Sequence, residues 1–289
     1  ERSPRGRSFP RDPSLRLHLR PDLVCGWRIC ISPKEPKAIK VVITDHRFPN
    51  LDPEQALVAG EGWELVVGQA HDEDTLYELC RDADGILTHR APMNARIIDR
   101  LEHCKIISRY GIGYDSIDID AATRNGIMVT NVPDYCTDEV SDHTMAMILM
   151  FARGIIPSAE IARSNKWTLE GLPKLQSLRG RICGLVGLGK IGLAVAAKAQ
   201  ALGMGVLGYS RNLNERAPEG TGITLTSLET IFRQSDYISL HTPLNETTRY
   251  LVNKETLAEM KPTATIINTA RGGMIDEESL LDALNKGAL

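Results

Sequence analysis

Short β-branched runs alternate along most of this chain with longer stretches whose apolar residues are spaced for helices. The pattern starts at about Lys37: AIKVVITDH is a strand ending at Asp45, and DPEQALVAGEG reads as a helix. ELVVG, DEDTLYELCRDA, DGILTH, ARIIDRLEHC and KIISRYG continue the alternation, and GIMVTNVP adds a strand stopped by Pro133. Strands separated by helices of this length predict βαβ units and a parallel sheet. A long helix is expected in DEVSDHTMAMILMFARGI, with Val140, Met145, Ile148, Leu149 and Phe151 on its buried face. Pro157 and then KWTLEGLPKLQSLRG read as a helix and a connecting loop. From Arg181 a second series runs through RICGLVG, KIGLAVAAKAQALG, MGVLGYS, SLETIFRQS, DYISLHTP, KETLAEMK, TATIINTA and DEESLLDALNKG. Two such series predict an α/β protein of two doubly wound domains, residues 37–138 and 139–289, with a cleft between them.

A chain of 289 residues, 42% hydrophobic and 25% charged, is long enough for two cores. Its formal charge of −3 argues against a nucleic-acid or membrane surface. Cys25, Cys30, Cys80, Cys104, Cys136 and Cys183 show no CxxC spacing and no clustered His, so reduced thiols in a cytoplasmic protein without a metal are expected. No apolar run reaches membrane-spanning length, and no signal-peptide core is visible. Residues 1–36 are rich in Arg and Pro without a periodic apolar face. They read as a disordered or spurious extension with no assigned role.

The chemistry is most legible at Gly187, Gly189 and Gly192, which form GLGKIG between the apolar run RICGLV and a helix. In a strand–turn–helix context the first glycine permits a tight turn. The second lets backbone approach a pyrophosphate, and the third lets helix and strand pack closely. The helix N-terminus then offers free N–H groups and a positive dipole end. A dinucleotide is therefore the expected cofactor. At the end of the following strand, where an NAD site carries an acid for the ribose 2′-OH, the chain has Ser210 and Arg211. Arg211 can pair with a 2′-phosphate, so NADP is the expected preference. The alternative is that Arg211 is a solvated surface cation and both NAD and NADP bind.

RYGIGYDSIDIDAATRNGIMVTNVP, GLVGLGKIG, HTPLNETT and NTARGGMIDEESLLDAL, in this order, resemble the D-isomer-specific 2-hydroxyacid dehydrogenases. The resemblance runs from about Lys37 to Leu289. It implies a flavodoxin-like substrate domain and a Rossmann cofactor domain with the active site in the cleft. It places Arg271 on the catalytic arginine, which would grip the substrate carboxylate with both prongs and polarise the 2-keto oxygen. The alternative for a strand-end arginine is a surface ion pair. The resemblance also implies that Thr269 and Ala270 lie at the nicotinamide and that His241, Thr242 and Pro243 flank the cofactor ribose. Lys190 and Ile191 would contact the pyrophosphate, and Ile112 would touch the cofactor from the other domain. Gly111, Ile112 and Gly113 would form the loop that receives the substrate carboxylate. His241 does not match the family's catalytic histidine. Many relatives have Ala-Glu-His where this chain has Ser141, Asp142 and His143, so Asp142 keeps the charge with a shorter reach and a structural hinge role, and His143 reads as a satisfied helix histidine and not a proton carrier.

The family's histidine–glutamate acid–base pair lies beyond the NTARGG segment, and a nicotinamide-side Asp comes from the next strand. The expectation is therefore a C-terminally truncated Rossmann domain lacking its last strand, with the acid–base pair outside the 289 residues. The resemblance implies hydride transfer between NAD(P)H and a small 2-keto or 2-hydroxy acid of the hydroxypyruvate, glyoxylate or phosphoglycerate kind. Substrate choice is expected to depend on the loop at Thr88, His89 and Arg90, with Arg90 facing solvent; the alternative is that Arg90 binds a substrate phosphate. A homodimer is the expected assembly. The competing class is a non-enzymatic, cofactor-sensing corepressor-like module, since fold alone does not separate the two.

Overall fold

The computed structural model describes residues 38–211 and 219–289. The expectation for residues 1–36, with Cys25 and Cys30, lies outside them. The first half alternates strand and helix in the order β1 (Lys40–Ile43), α1 (Asp52–Gly60), β2 (Glu64–Val67), α2 (Glu73–Cys80), β3 (Gly85–Thr88), α3 (Ala95–Ile98), β4 (Ile106–Arg109), α4 (Ile119–Arg124) and β5 (Met128–Thr130). Two helices follow, α5 (Thr137–Ala152) and α6 (Ile155–Arg163). The second half is β6 (Ile182–Val186), α7 (Lys190–Ala201), β7 (Gly205–Tyr209), β8 (Thr224–Leu225), α8 (Leu228–Gln234), β9 (Tyr237–Leu240), α9 (Lys254–Ala258), β10 (Thr265–Asn268), a 3₁₀ turn at Gly272–Met274, and α10 (Glu277–Asn285).

Both sheets are parallel. The first has the order β2-β1-β3-β4-β5 and the second β10-β9-β6-β7-β8. The first is the flavodoxin-type order; the second, counted from its own first strand, is 3-2-1-4-5, the Rossmann order as far as its fifth strand. Central strands are apolar on both faces, as burial under helices requires. In β9 all four residues are buried, and Val42, Ile86 and Ile107 fill the first core. Side-chain caps start several helices: Asp72 accepts from the Thr75 N–H, Asp118 from Ala121, and Asn253 and Thr256 close a reciprocal capping box on α9.

Three expectations need correction. On α5 the buried residues are Ser141, Thr144, Met145, Ile148 and Ala152, a stripe of helical period, whereas Leu149 and Phe151 are exposed and Val140 is only partly covered. The helix near Pro157 is α6 itself, and KWTLEGLPKLQSLRG carries neither helix nor strand. The helical part of ARIIDRLEHC is confined to Ala95–Ile98. The sequence reading also passed over α4 and the two-residue β8. Among the described residues, Cys80, Cys104, Cys136 and Cys183 are free thiols. No single helix there is long and apolar enough to cross a membrane.

Candidate active site

In each sheet the strand order reverses between two neighbours, and the C-terminal ends of those strands open a crevice. In the second sheet the pair is β6 and β9. Gly187, just past β6, has φ +104°, and a Cβ there would sit 2.6 Å from the His241 carbonyl oxygen. A Cβ at Gly192 would overlap the Gly187 carbonyl, so helix and turn touch backbone to backbone. Gly189 is different: nothing lies within 4 Å of where its Cβ would be. It starts α7 with no side-chain cap, and Lys190 and Ile191 follow as the first helical residues. The open side of the turn thus faces a helix N-terminus, the arrangement that suits a pyrophosphate. Lys190 reaches across to Asp134, Nζ to carboxylate 2.9 Å.

The wall opposite is the loop after β9. The His241 N–H donates to the Val186 carbonyl at 2.8 Å, and its Nε2 lies 2.9 Å from Ser239 Oγ. Burial lowers the His241 imidazole to about 4, so it stays neutral near pH 7 and does not serve there as a proton donor. Thr242 Oγ1 donates to Met274 Sδ at 3.8 Å, and the Pro243 carbonyl accepts from Thr248 Oγ1 at 2.7 Å. Ser210 follows β7, and the exposed Arg211 donates Nη1 to Thr247 Oγ1 at 2.9 Å.

In the first sheet the reversal lies between β1 and β3. Asp45, buried at the end of β1, accepts the backbone N–H groups of His89 (2.9 Å), Arg90 (2.8 Å) and Ala91 (3.2 Å) and the Thr44 hydroxyl (2.9 Å). Burial pushes its carboxyl up, but these hydrogen bonds outweigh burial and leave it below the ordinary value. One carboxylate therefore fixes the Thr88–Arg90 loop. The Arg90 side chain is exposed, as expected.

The two crevices meet at Arg271. Its Nε donates to Asp115 Oδ1 at 2.9 Å, its Nη2 lies 2.8 Å from the same oxygen, and Nη1 donates to the Ala270 carbonyl at 3.0 Å. Asn268 brackets the turn, its Oδ1 accepting the Ala270 N–H at 3.0 Å and its Nδ2 donating to the Arg271 carbonyl at 2.8 Å. Thr269 Oγ1 lies 3.2 Å from Thr144 Oγ1 on α5. Opposite is the loop with Gly111 (φ +135°), Ile112 and Gly113. The Ile112 carbonyl accepts from Asn131 Nδ2 at 2.7 Å, and the Arg271 guanidinium lies close against Gly113, where a Cβ would overlap its Nη2. The Asp115 carboxyl lies below its ordinary value, first through the Arg271 hydrogen bond.

The chain's departure on α5 has a structural use. Lys198 of α7 donates to Ser141 Oγ and to Asp142 Oδ1, both at 2.6 Å, which clamps the two helices together. His143 is exposed on the helix surface. Sequence reasoning passed over Asp45, Arg109, Asp115, Asn131 and Asn268. Arg109 and Asp115 carried a signal, a charged residue on either side of a glycine-rich turn at a strand end.

Residues 145–289 match the family described as D-isomer specific 2-hydroxyacid dehydrogenase, NAD binding domain, which makes a nicotinamide cofactor part of the fold's chemistry. Glyoxylate reductase of Pyrococcus furiosus is 36% identical over 221 residues, 74% of this chain and 66% of that protein. D-3-phosphoglycerate dehydrogenase of Methanocaldococcus jannaschii is 33% identical over 253 residues, 87% of this chain and 47% of that one. The crystal structure of D-lactate dehydrogenase from Aquifex aeolicus, complexed with NAD and lactic acid, superposes with a TM-score of 0.78 at 26% identity, covering 86% of this chain and 74% of that one. The chain thus spans about two thirds of the length of the first relative and about half that of the second. By the family match over half its length and by these relatives, the chain belongs to the D-isomer-specific 2-hydroxyacid dehydrogenases.

Proposed function

We propose that the full-length protein is an oxidoreductase that transfers a hydride between NAD(P)H and a small 2-keto or 2-hydroxy acid of the glyoxylate, hydroxypyruvate or phosphoglycerate kind. The observation that carries this reading is Arg271, which extends from the dinucleotide-type crevice to the glycine loop of the opposite sheet. Residues 37–138 act as the substrate half and residues 139–289 as the cofactor half. The pyrophosphate is held at Gly187, Gly189, Lys190, Ile191 and Gly192, where the open face beside Gly189 fits it. His241, Thr242 and Pro243 flank the ribose, with Thr269, Ala270 and Ile112 toward the nicotinamide. When bound, the cofactor supplies or accepts the hydride. Amides of the Gly111–Gly113 loop receive the substrate carboxylate, and Arg271 stabilises negative charge developing on the keto oxygen. The corepressor-like alternative gains no specific support from these relatives. Oxidation of NADPH or NADH on addition of hydroxypyruvate, glyoxylate or 3-phosphohydroxypyruvate tests the reading; no turnover with any of the three counts against it.

NADPH is the preferred cofactor in this proposal, because Ser210 and Arg211 stand where an acid would repel the 2′-phosphate. Ser210→Asp combined with Arg211→Pro should shift the ratio of NADPH to NADH affinity toward NADH. An unmodified protein that already prefers NADH removes the basis for the Arg211 role.

Free thiols suit a reducing compartment, and the cytoplasm is the proposed location. The active assembly is a homodimer. Phe151, Ile155, Ile156, Trp167 and Leu169 are large apolar residues exposed within one stretch of chain, and such residues mark association surfaces where they form one patch. A second copy covers such a patch through two-fold symmetry. Light scattering should give twice the chain mass, and Trp167→Glu should return the monomer.

A further inference from the structure

Arg211 leaves the end of β7 and reaches the loop after β9, 36 residues further on, where its Nη1 donates to Thr247 Oγ1 at 2.9 Å. In the sheet, β7 and β9 lie on opposite sides of β6. The contact therefore passes from one flank of β6 to the other, at the end that carries the turn from Gly187 to Gly192. Among the described residues, no carboxylate pairs with the Arg211 guanidinium, and Thr247 is its hydrogen-bond acceptor. That acceptor is itself held. The Thr247 hydroxyl donates to Asn245 Oδ1 at 2.8 Å, and the same oxygen accepts the Thr247 N–H at 3.0 Å. Thr248, which is buried, fixes the rest of the loop: its hydroxyl accepts the Asn245 N–H at 2.8 Å and donates to the Pro243 carbonyl at 2.7 Å.

A hydroxyl carries one proton and two lone pairs. With its proton on Asn245, Thr247 Oγ1 meets Arg211 as an acceptor only. A guanidinium bonded through Nη1 keeps its Nε–Nη2 edge, a pair of parallel N–H groups that matches two oxygens of a phosphate. An exposed arginine without such a contact samples many rotamers, and ordering it when a ligand arrives costs affinity. We infer that Thr247, held by Asn245, is a positioning residue for cofactor choice: it fixes Arg211 across the mouth of the dinucleotide crevice, with a two-pronged edge set for the ribose 2′-phosphate. Selection of a 2′-phosphorylated dinucleotide then belongs to the loop after β9 as much as to the end of β7. This rests on the NADPH reading above.

The test compares two probes that differ only in the 2′-phosphate, adenosine 2′,5′-bisphosphate and adenosine 5′-monophosphate. Each is titrated calorimetrically into the full-length protein at one ionic strength. The parent should prefer the bisphosphate. Thr247→Val removes the hydroxyl at nearly constant volume, and should cut that preference by about 3- to 10-fold, the scale of one hydrogen bond. The loss should fall on the bisphosphate alone. Thr247→Ser keeps the hydroxyl and should restore the preference. In an Arg211→Ala background, Thr247→Val should have no further effect on the preference, because Thr247 acts through Arg211. An unchanged preference in Thr247→Val, equal weakening of both probes, no restoration by serine, or a full Thr247→Val effect without Arg211 overturns this inference and leaves the NADPH reading standing. A parent that binds the two probes alike overturns the NADPH reading, and this inference with it.

Discussion

Arg271→Gln in the full-length protein is expected to lower kcat by about 10²–10³ on the best 2-keto acid, the typical cost of losing an oxyanion donor. The structure adds reasons for the size of the effect. Arg271 is held at three nitrogens, by Asp115 and by the Ala270 carbonyl, and Asn268 brackets the turn that carries it. Its remaining N–H groups are therefore oriented before substrate arrives, and a donor that needs no reorganisation is worth most at the moment charge develops. Arg271→Lys keeps the charge but cannot hold Asp115 on a planar edge while donating from another. It should lose activity substantially, though less than Gln. Cofactor affinity should change much less in either variant. Steady-state kinetics with hydroxypyruvate, glyoxylate and 3-phosphohydroxypyruvate measure this. Near-normal turnover in Arg271→Gln would make the Asp115 pair a structural bridge between the two sheets and nothing more.

Gly189→Val should abolish dinucleotide binding and leave the fold intact, as read by circular dichroism and by the cofactor titration. The three glycines of the turn differ in what a side chain would strike. At Gly187 it meets the His241 carbonyl at 2.6 Å, in backbone with φ +104°, and at Gly192 it runs into the Gly187 carbonyl. Substitution at either of these strains the fold itself. At Gly189, φ is −78° and the space is open, so valine costs the protein little. The isopropyl group would occupy the side from which a pyrophosphate approaches the first N–H groups of α7. A Gly189→Val protein that titrates like the parent with both dinucleotides would place the cofactor elsewhere.

Local pattern carried most of the fold into view. The strands are short β-branched runs, and both sheets are parallel because helices separate nearly every pair. Where the pattern misled, tertiary packing decided. Leu149 and Phe151 looked buried because they are large and apolar, but the covered stripe of α5 runs through Ser141 and Thr144, whose hydroxyls are satisfied by the Asp138 and Val140 carbonyls. Strand β8 is two residues long and has no period to read. The glycine turn was legible because its spacing is local. The pairing of Arg271 with Asp115 was not, since 156 residues separate them and only the facing of the two sheets joins them. The Asp45 cap on the Thr88–Arg90 loop, 44 residues away in sequence, escaped for the same reason.

The most direct test of the central claim is isotope transfer. The full-length protein is supplied with dinucleotide carrying deuterium at the transferable position, and the product formed from the best 2-keto acid is examined by mass and by chirality. The account predicts one deuterium at C2 of the 2-hydroxy acid, D-configured where C2 carries a further substituent, with the rate lowered in Arg271→Gln in step with kcat. A product without deuterium, an L-configured product, or bound dinucleotide that passes its deuterium to none of the 2-keto acids would contradict it.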